Sequence, residues 1–114
     1  GTGQKETVES DGEEGNPLTA AIGHVFGFSI GSDGCLYFAD SSFHTIRRIV
    51  PDADGNLAKG TVETLAGTGK AGYADGKGLQ AAFNTPYDVA ISDDCTVMYV
   101  TDVLNQLIRR ITVR

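Results

Sequence analysis

Gly67, Gly69 and Gly72, in the stretch LAGTGKAGYADGKG, spell G-x-G-x-x-G directly after the apolar run VETLA, the local signature of a turn that cradles a dinucleotide phosphate. That chemistry demands a helix after the glycines, so that its N-terminal amides and dipole face the anion. No helix is expected here. Asp75 and the further glycines up to Gly78 oppose one, and the next pattern, YDVAIS, alternates with period two. A Walker loop is excluded as well, because three residues rather than four separate Gly72 from Gly76-Lys77, and Gly78 stands where Ser or Thr belongs.

Three other groupings could carry chemistry. Asp52, Asp54, Asn56 and Glu63, in DADGNLAKGTVE, occupy positions one, three, five and twelve of a calcium loop. Leu57 replaces the glycine wanted at position six and no helical pattern flanks the loop, so the expected structure is a polar hairpin turn. His24 and His44 are two imidazoles where catalytic zinc takes three protein ligands. A metal role would therefore fall to His24, with Asp88, only where several chains meet. Arg47-Arg48 and Arg109-Arg110 sit in strand-like runs, so neighbours point to opposite faces. One reading has one arginine of each pair solvated and the other packed on an apolar stem or paired with a carboxylate such as Glu63. The sharper reading is a repeated basic stripe that binds RNA or protein.

Composition bounds these readings. The chain has 114 residues, 40% hydrophobic, with 15 Gly and no Trp, as fits a single globular domain. A net charge of −6 disfavours broad attraction to nucleic acid or anionic lipid. No window approaches the roughly 18 apolar residues of a membrane span, and GTGQKETVES has no signal-peptide pattern. These features assign no compartment. Cys35 and Cys95 form no metal spacing and sit at equivalent points of neighbouring units, so free thiols are expected.

The chain is two copies of one unit. GTG at Gly1 to Gly3 returns at Gly67 to Gly69; LTAAI, Leu18 to Ile22, returns as LQAAF, Leu79 to Phe83. LYFAD, Leu36 to Asp40, returns as MYVTD, Met98 to Asp102, and IRRI at Ile46 to Ile49 returns at Ile108 to Ile111. Each copy reads as short strands between turn signals: HVFGFSI, CLYFAD, TIRRIV and GTVETLA, then PYDVAIS, TVMYVTD and QLIRRITV. The expected fold is all-β: two four-stranded antiparallel blades, the second lacking its outer strand. Sheets with two apolar faces stack face to face, and radial stacking makes a β-propeller.

The run VETLAGTGKAGYADGKGLQAAFNTPYDVAIS, then MYVTD and LIRRI, resembles the NHL repeat, with its Gly-rich connector, its A-x-F and Pro lead-in to the inner strand, and its basic-apolar third strand. The resemblance covers nearly the whole chain twice and is weakest over residues 4–17. It implies a six-bladed propeller, divided here into a connector (1–22), a first blade (23–66), a Gly-rich inter-blade connector (67–83) and an incomplete second blade (84–114). In that frame Asp40, Asp102, Pro86, Gly67 and Gly69 are structural residues. The implied function is a non-catalytic scaffold that binds another protein or peptide, without a cofactor. Its candidate contacts are Arg47, Arg48, Arg109, Arg110, Lys70, Tyr73 and Asp88. A metal-dependent lyase or hydrolase site in the channel, or RNA bound on the arginine stripe, is the alternative. Two blades are not a ring, so either the chain is a fragment of a longer propeller or chains associate, and a homotrimer of two-bladed chains would give six.

Overall fold

The computed structural model describes residues 22–72, 76 and 78–113. Among these, seven strands form two antiparallel sheets. The first sheet takes β1 (Phe28–Ile30), β2 (Leu36–Asp40), β3 (Thr45–Val50) and β4 (Thr61–Ala66) in sequence order. The second takes β5 (Pro86–Ile91), β6 (Val97–Asp102) and β7 (Leu107–Thr112), also in order. Each sheet is a meander of the kind that builds a propeller blade, four strands in one and three in the other.

Turn chemistry sets these strands. At the β1–β2 turn the Asp33 carboxylate accepts the Cys35 amide at 3.0 Å, and Gly34 supplies a φ of +84°. The matching turn in the second sheet has Asp94 accepting the Thr96 amide at 3.1 Å, with Cys95 holding the left-handed position at φ +61°. Between β3 and β4, Asp52 accepts the amides of Asp54 (3.0 Å) and Asn56 (2.8 Å), and Asn56 caps the short 3₁₀ turn at Leu57–Lys59. The would-be calcium ligands are thus ordinary turn acceptors, and Glu63 turns away to Arg48.

β1 is shorter than the alternation of HVFGFSI suggests. The chain from His24 to Gly27 runs without ladder pairing, although the His24 carbonyl accepts the Ser41 amide at 2.8 Å. Gly27 is needed there because the Asp88 carboxylate occupies the space into which a Cβ would project.

The main core lies between the sheets. Tyr37, Ala39 and Ile46 from the first meet Val89, Met98 and Val100 from the second, with Ala81 and Phe83 at the seam. A smaller cluster of Phe38, Ile49 and Val62 packs on the other side of the first sheet, against Ile22 and Leu57. Polar links also cross between the sheets: Ile91 N–H donates to Ser29 Oγ and Ser32 Oγ to the Asp93 carbonyl, Ser41 Oγ donates to the Pro86 carbonyl, and the Thr85 amide donates to His44 Nδ1 at 2.9 Å. The bond from Thr85 makes Nδ1 the acceptor nitrogen of that ring.

The Gly-rich stretch carries the chain from β4, the last strand of one sheet, to β5, the first strand of the next. Gly67 has φ +111°, and a Cβ there would sit 2.5 Å from the His44 carbonyl oxygen; Gly69 has φ +91°. The amides a phosphate would need are engaged within the chain: Gly67 N–H donates to Gly78 O and Gly72 N–H to Phe83 O. After the glycines the chain makes a three-residue 3₁₀ turn, Gly78–Gln80, and then enters β5.

Candidate functional site

The repeated Asp and Arg residues form two buried networks. Asp102 accepts the Asn84 amide, the Asn105 side-chain amide and Arg109 Nη1, each at 2.8 Å, while Arg109 also donates to the Ala82 carbonyl at 3.0 Å. Its guanidinium lies 4.8 Å from the centre of the Phe83 ring. In the first sheet Asp40 accepts the amides of Gly23 (2.9 Å) and Phe43 (3.3 Å), and Arg47 stands 3.5 Å away. Both carboxylates are fully buried, so each needs its partners.

This arrangement dissolves the arginine stripe. Arg47 and Arg109 are buried and committed to Asp40 and Asp102. Arg48 donates through Nε to Glu63 Oε1 at 2.6 Å, and Arg110 alone of the four faces solvent. Lys70 is exposed on the connector, beside the Thr68 hydroxyl that bonds its backbone. Tyr73 lies outside the described residues, as do residues 1–21.

A different surface gathers the remaining candidates. Phe26 and Tyr87 stack with ring centres 4.2 Å apart and planes 6° from parallel, and they are 57% and 41% exposed. His24 tilts against Phe26 at 6.1 Å. Asp88, next to Tyr87, lies over Gly27; it is exposed, and its Oδ1 accepts the Val89 amide at 2.9 Å. The outcome is an exposed aromatic platform at the start of the two inner strands. His24 belongs to it and Asp88 follows Tyr87 in the chain, but among the described residues no three metal-ligating side chains converge anywhere. Phe26 and Tyr87 were not singled out from the sequence, yet the repeat could have found them: they are 61 residues apart, the same offset as Leu18 and Leu79.

A second polar grouping lies at the β1–β2 turn. The Tyr37 hydroxyl donates to Asp33 Oδ2 at 2.6 Å. Burial, then this bond, pushes the Tyr37 hydroxyl well above its ordinary value. Burial works to raise Asp33, but the bonds from Tyr37, the Cys35 amide and the thiols of Cys35 and Cys95 hold its carboxyl below the usual 3.8. Both cysteines are free, and burial pushes the Cys35 thiol up, reinforced by the Asp33 charge, so it is a poor nucleophile.

No family model matches this chain. Its sequence is 40% identical over 88 residues to Protein SUPPRESSOR OF QUENCHING 1, chloroplastic, of Arabidopsis thaliana, covering 77% of this chain and 8% of that protein. In structure it is similar to a Bacteroides thetaiotaomicron protein of unknown function, with a TM-score of 0.74 and 27% identity over 90% of this chain and 24% of the other. It is also similar to an auxiliary nutrient binding protein of Bacteroides ovatus, with a TM-score of 0.70 and 26% identity over 89% of this chain and 25% of the other. A second auxiliary nutrient binding protein, from Bacteroides thetaiotaomicron, aligns with a TM-score of 0.69 and 26% identity over 95% and 26% of the two chains. The chain thus spans about a quarter of these solved structures and under a tenth of the plant protein. The structural neighbours are propeller-like, as the two stacked meanders are.

Proposed function

We propose that this chain is a pair of NHL-type blades of a six-bladed propeller, acting as a non-catalytic scaffold that binds a protein or peptide. The observation that carries this reading is the Phe26–Tyr87 stack, two large rings held parallel and exposed to solvent. Such a surface suits an extended peptide bearing a Lys or Arg, whose cation meets a π face. The net charge of −6 favours the encounter. Two similar solved proteins, both described as auxiliary nutrient binding proteins, support a binding role over a catalytic one.

The scaffold reading includes closure of a ring, by further blades of a longer chain or by a homotrimer. Tyr99 and Ile108 are 49% and 74% exposed, although their repeat equivalents Tyr37 and Ile46 are fully buried between the sheets. On the far side of the molecule Phe28 and Ile30 are 62% and 60% exposed, where the equivalent Val89 is 6% exposed. Each open face therefore matches one half of the interface already formed within the chain. Light scattering that gives three times the 12.0 kDa chain mass supports the homotrimer, and a 12.0 kDa species supports closure by blades of a longer chain.

The test of the binding role is selection of peptides from a displayed random library on the intact chain and on Phe26→Ala/Tyr87→Ala. Peptides enriched in Lys and Arg that lose about tenfold or more in affinity for the double variant are the expected result. Selected peptides that bind both proteins equally would remove the platform from the function.

A further inference from the structure

Cys35 and Cys95 lie in matching turns of the two sheets, and the fold brings their thiols to one spot in the seam. Ile30 pairs with Leu36 across the β1–β2 turn, so Gly31 and Cys35 form the next pair, with the Gly31 amide donating to the Cys35 carbonyl at 3.0 Å. Residues opposed in this way project their side chains on the same face, with Cβ atoms about 4.5 to 5.5 Å apart. Gly31 projects none, and the other sheet fills the space. A Cβ on Gly31 would meet Cys95 Sγ at 2.8 Å and Asp33 Oδ1 at 2.6 Å. Cys95 Sγ therefore stands where the cross-strand partner of the Cys35 side chain would stand.

The polar contacts agree with this placement. Ser32 Oγ and Cys95 Sγ are 3.4 Å apart, and the thiols of Cys35 and Cys95 both bond the Asp33 carboxylate. The Ser32 hydroxyl also donates to the Asp93 carbonyl at 2.8 Å, which ties the two turns together. Stacked sheets lie about 10 Å apart, too far for a bond between strictly equivalent positions. Cys95 comes one place earlier in its turn than Cys35 does: it holds the left-handed position, φ +61°, that Gly34 fills at φ +84°. A side chain is costly there, and its effect is to carry a sulfur across to Gly31.

We propose that Cys35 and Cys95 are a redox pair, joined by a reversible disulfide that staples the first blade to the second when a low-molecular-weight disulfide such as oxidised glutathione is present. Cys95 is half-buried whereas Cys35 is 6% exposed, so Cys95 meets the oxidant first. Its thiolate attacks one sulfur of the oxidant; a mixed disulfide forms, the oxidant's S–S bond breaks, and one thiolate leaves and takes up the proton that Cys95 lost. The Cys35 thiolate then attacks Cys95 Sγ, the mixed disulfide breaks, and the second thiolate leaves with the proton from Cys35. Two protein thiols lose two electrons and one oxidant becomes two thiols. The closed bond links positions 60 apart in sequence and so restricts the unfolded chain. None of this depends on what the aromatic platform binds.

The test incubates the intact chain with oxidised glutathione at about pH 8, where a thiol near its ordinary value is partly ionised, then alkylates with iodoacetamide and reads the mass. The expected product retains no glutathione, has both thiols protected and no bond between chains, and yields a peptide pair joined through Cys35 and Cys95. Its melting temperature should rise by about 5 °C or more and return on reduction with dithiothreitol. Cys35→Ser should stop with one glutathione on Cys95, and Cys95→Ser should react about tenfold or more slowly. Serine is close to cysteine in size, and the mass of the unsubstituted chain tests the proposal without either variant. Glutathione retained on either cysteine of that chain, a disulfide between chains, both thiols still open to alkylation, or an oxidised chain that melts no higher overturns the proposal.

Discussion

The two blades are built on one plan and are held together unequally. Around Asp102, two amides and a guanidinium close at 2.8 Å, and Phe83 lies under Arg109. Around Asp40 the Gly23 amide is at 2.9 Å, but the Phe43 amide is at 3.3 Å and Arg47 at 3.5 Å, and Ile22 stands where the second blade has Phe83. The first blade compensates with a fourth strand and the Arg48–Glu63 bond. A repeat therefore fixes the type of each interaction without fixing its strength. Strength depends on which neighbours complete the site.

The largest effects should come from the buried carboxylates. Asp102→Ala leaves Arg109 buried without its partner and two amide donors unsatisfied, so a loss of about 3 to 5 kcal/mol is expected in urea unfolding. Asp40→Ala should cost less, because its contacts are longer. Equal losses would mean that contact length does not distinguish the blades. Next comes the seam: Phe83→Ala removes a ring that is 1% exposed and opens a cavity between the sheets, at a cost of about 3 to 5 kcal/mol. Ile22→Ala, at the equivalent but only half-buried position, should lie below that range.

A smaller effect is expected where the inner strands touch. Gly27→Ala forces a Cβ onto Asp88 and should destabilise by about 1 to 3 kcal/mol. Adding Asp88→Gly should recover most of that loss, since the clash is chiefly with the Asp88 side chain; failure of the rescue would place the strain in the backbone instead. Smaller still, Glu63→Gln should cost about 0.5 to 1 kcal/mol, while Arg110→Gln changes stability by less than about 0.5 kcal/mol. The pair of melts measures how much the Arg48–Glu63 bond adds to the first blade.

Acid titration gives the smallest and most local signal. Asp33 is held below the ordinary carboxylate value, so its contribution is present above the unfolded value near 3.8 and is lost as pH falls through the lower folded value. Tyr37→Phe removes the hydroxyl that donates to it and should flatten stability against pH in that acid range. A curve of unchanged slope would show that the backbone amide of Cys35 holds the carboxylate without help from the phenol.

Much of the fold was legible because repetition is a one-dimensional signal. The doubled IRRI, the recurring Asp at the end of LYFAD and MYVTD, and the glycine connector fix strand order, turns and the stacking of sheets before any coordinate is known. The site was less legible. The sequence allowed one arginine of each doublet to be solvated, but alternation alone does not say which, and in the first blade neither is free of a carboxylate. Phe26 and Tyr87 carried no motif; each is an ordinary aromatic in an apolar run. They become a surface only because β1 and β5 lie side by side across the blade interface, which puts residues 61 apart in sequence into a parallel stack.

The amino-acid sequence by itself determined the all-β character, the two-unit organisation and the replacement of a phosphate loop by a glycine connector, because period-two alternation, turn residues and repeat offsets are local properties of the chain. Only the tertiary structure decided which side chains are spent on the fold and which stay exposed. Burial of Arg47, Arg109, Asp40 and Asp102, and exposure of Tyr99 and Ile108 at positions whose twins are covered, depend on the elements that lie beside each strand in space. The reason is physical: a residue's pattern states which face it occupies, while the free energy of that face is set by the surface packed against it.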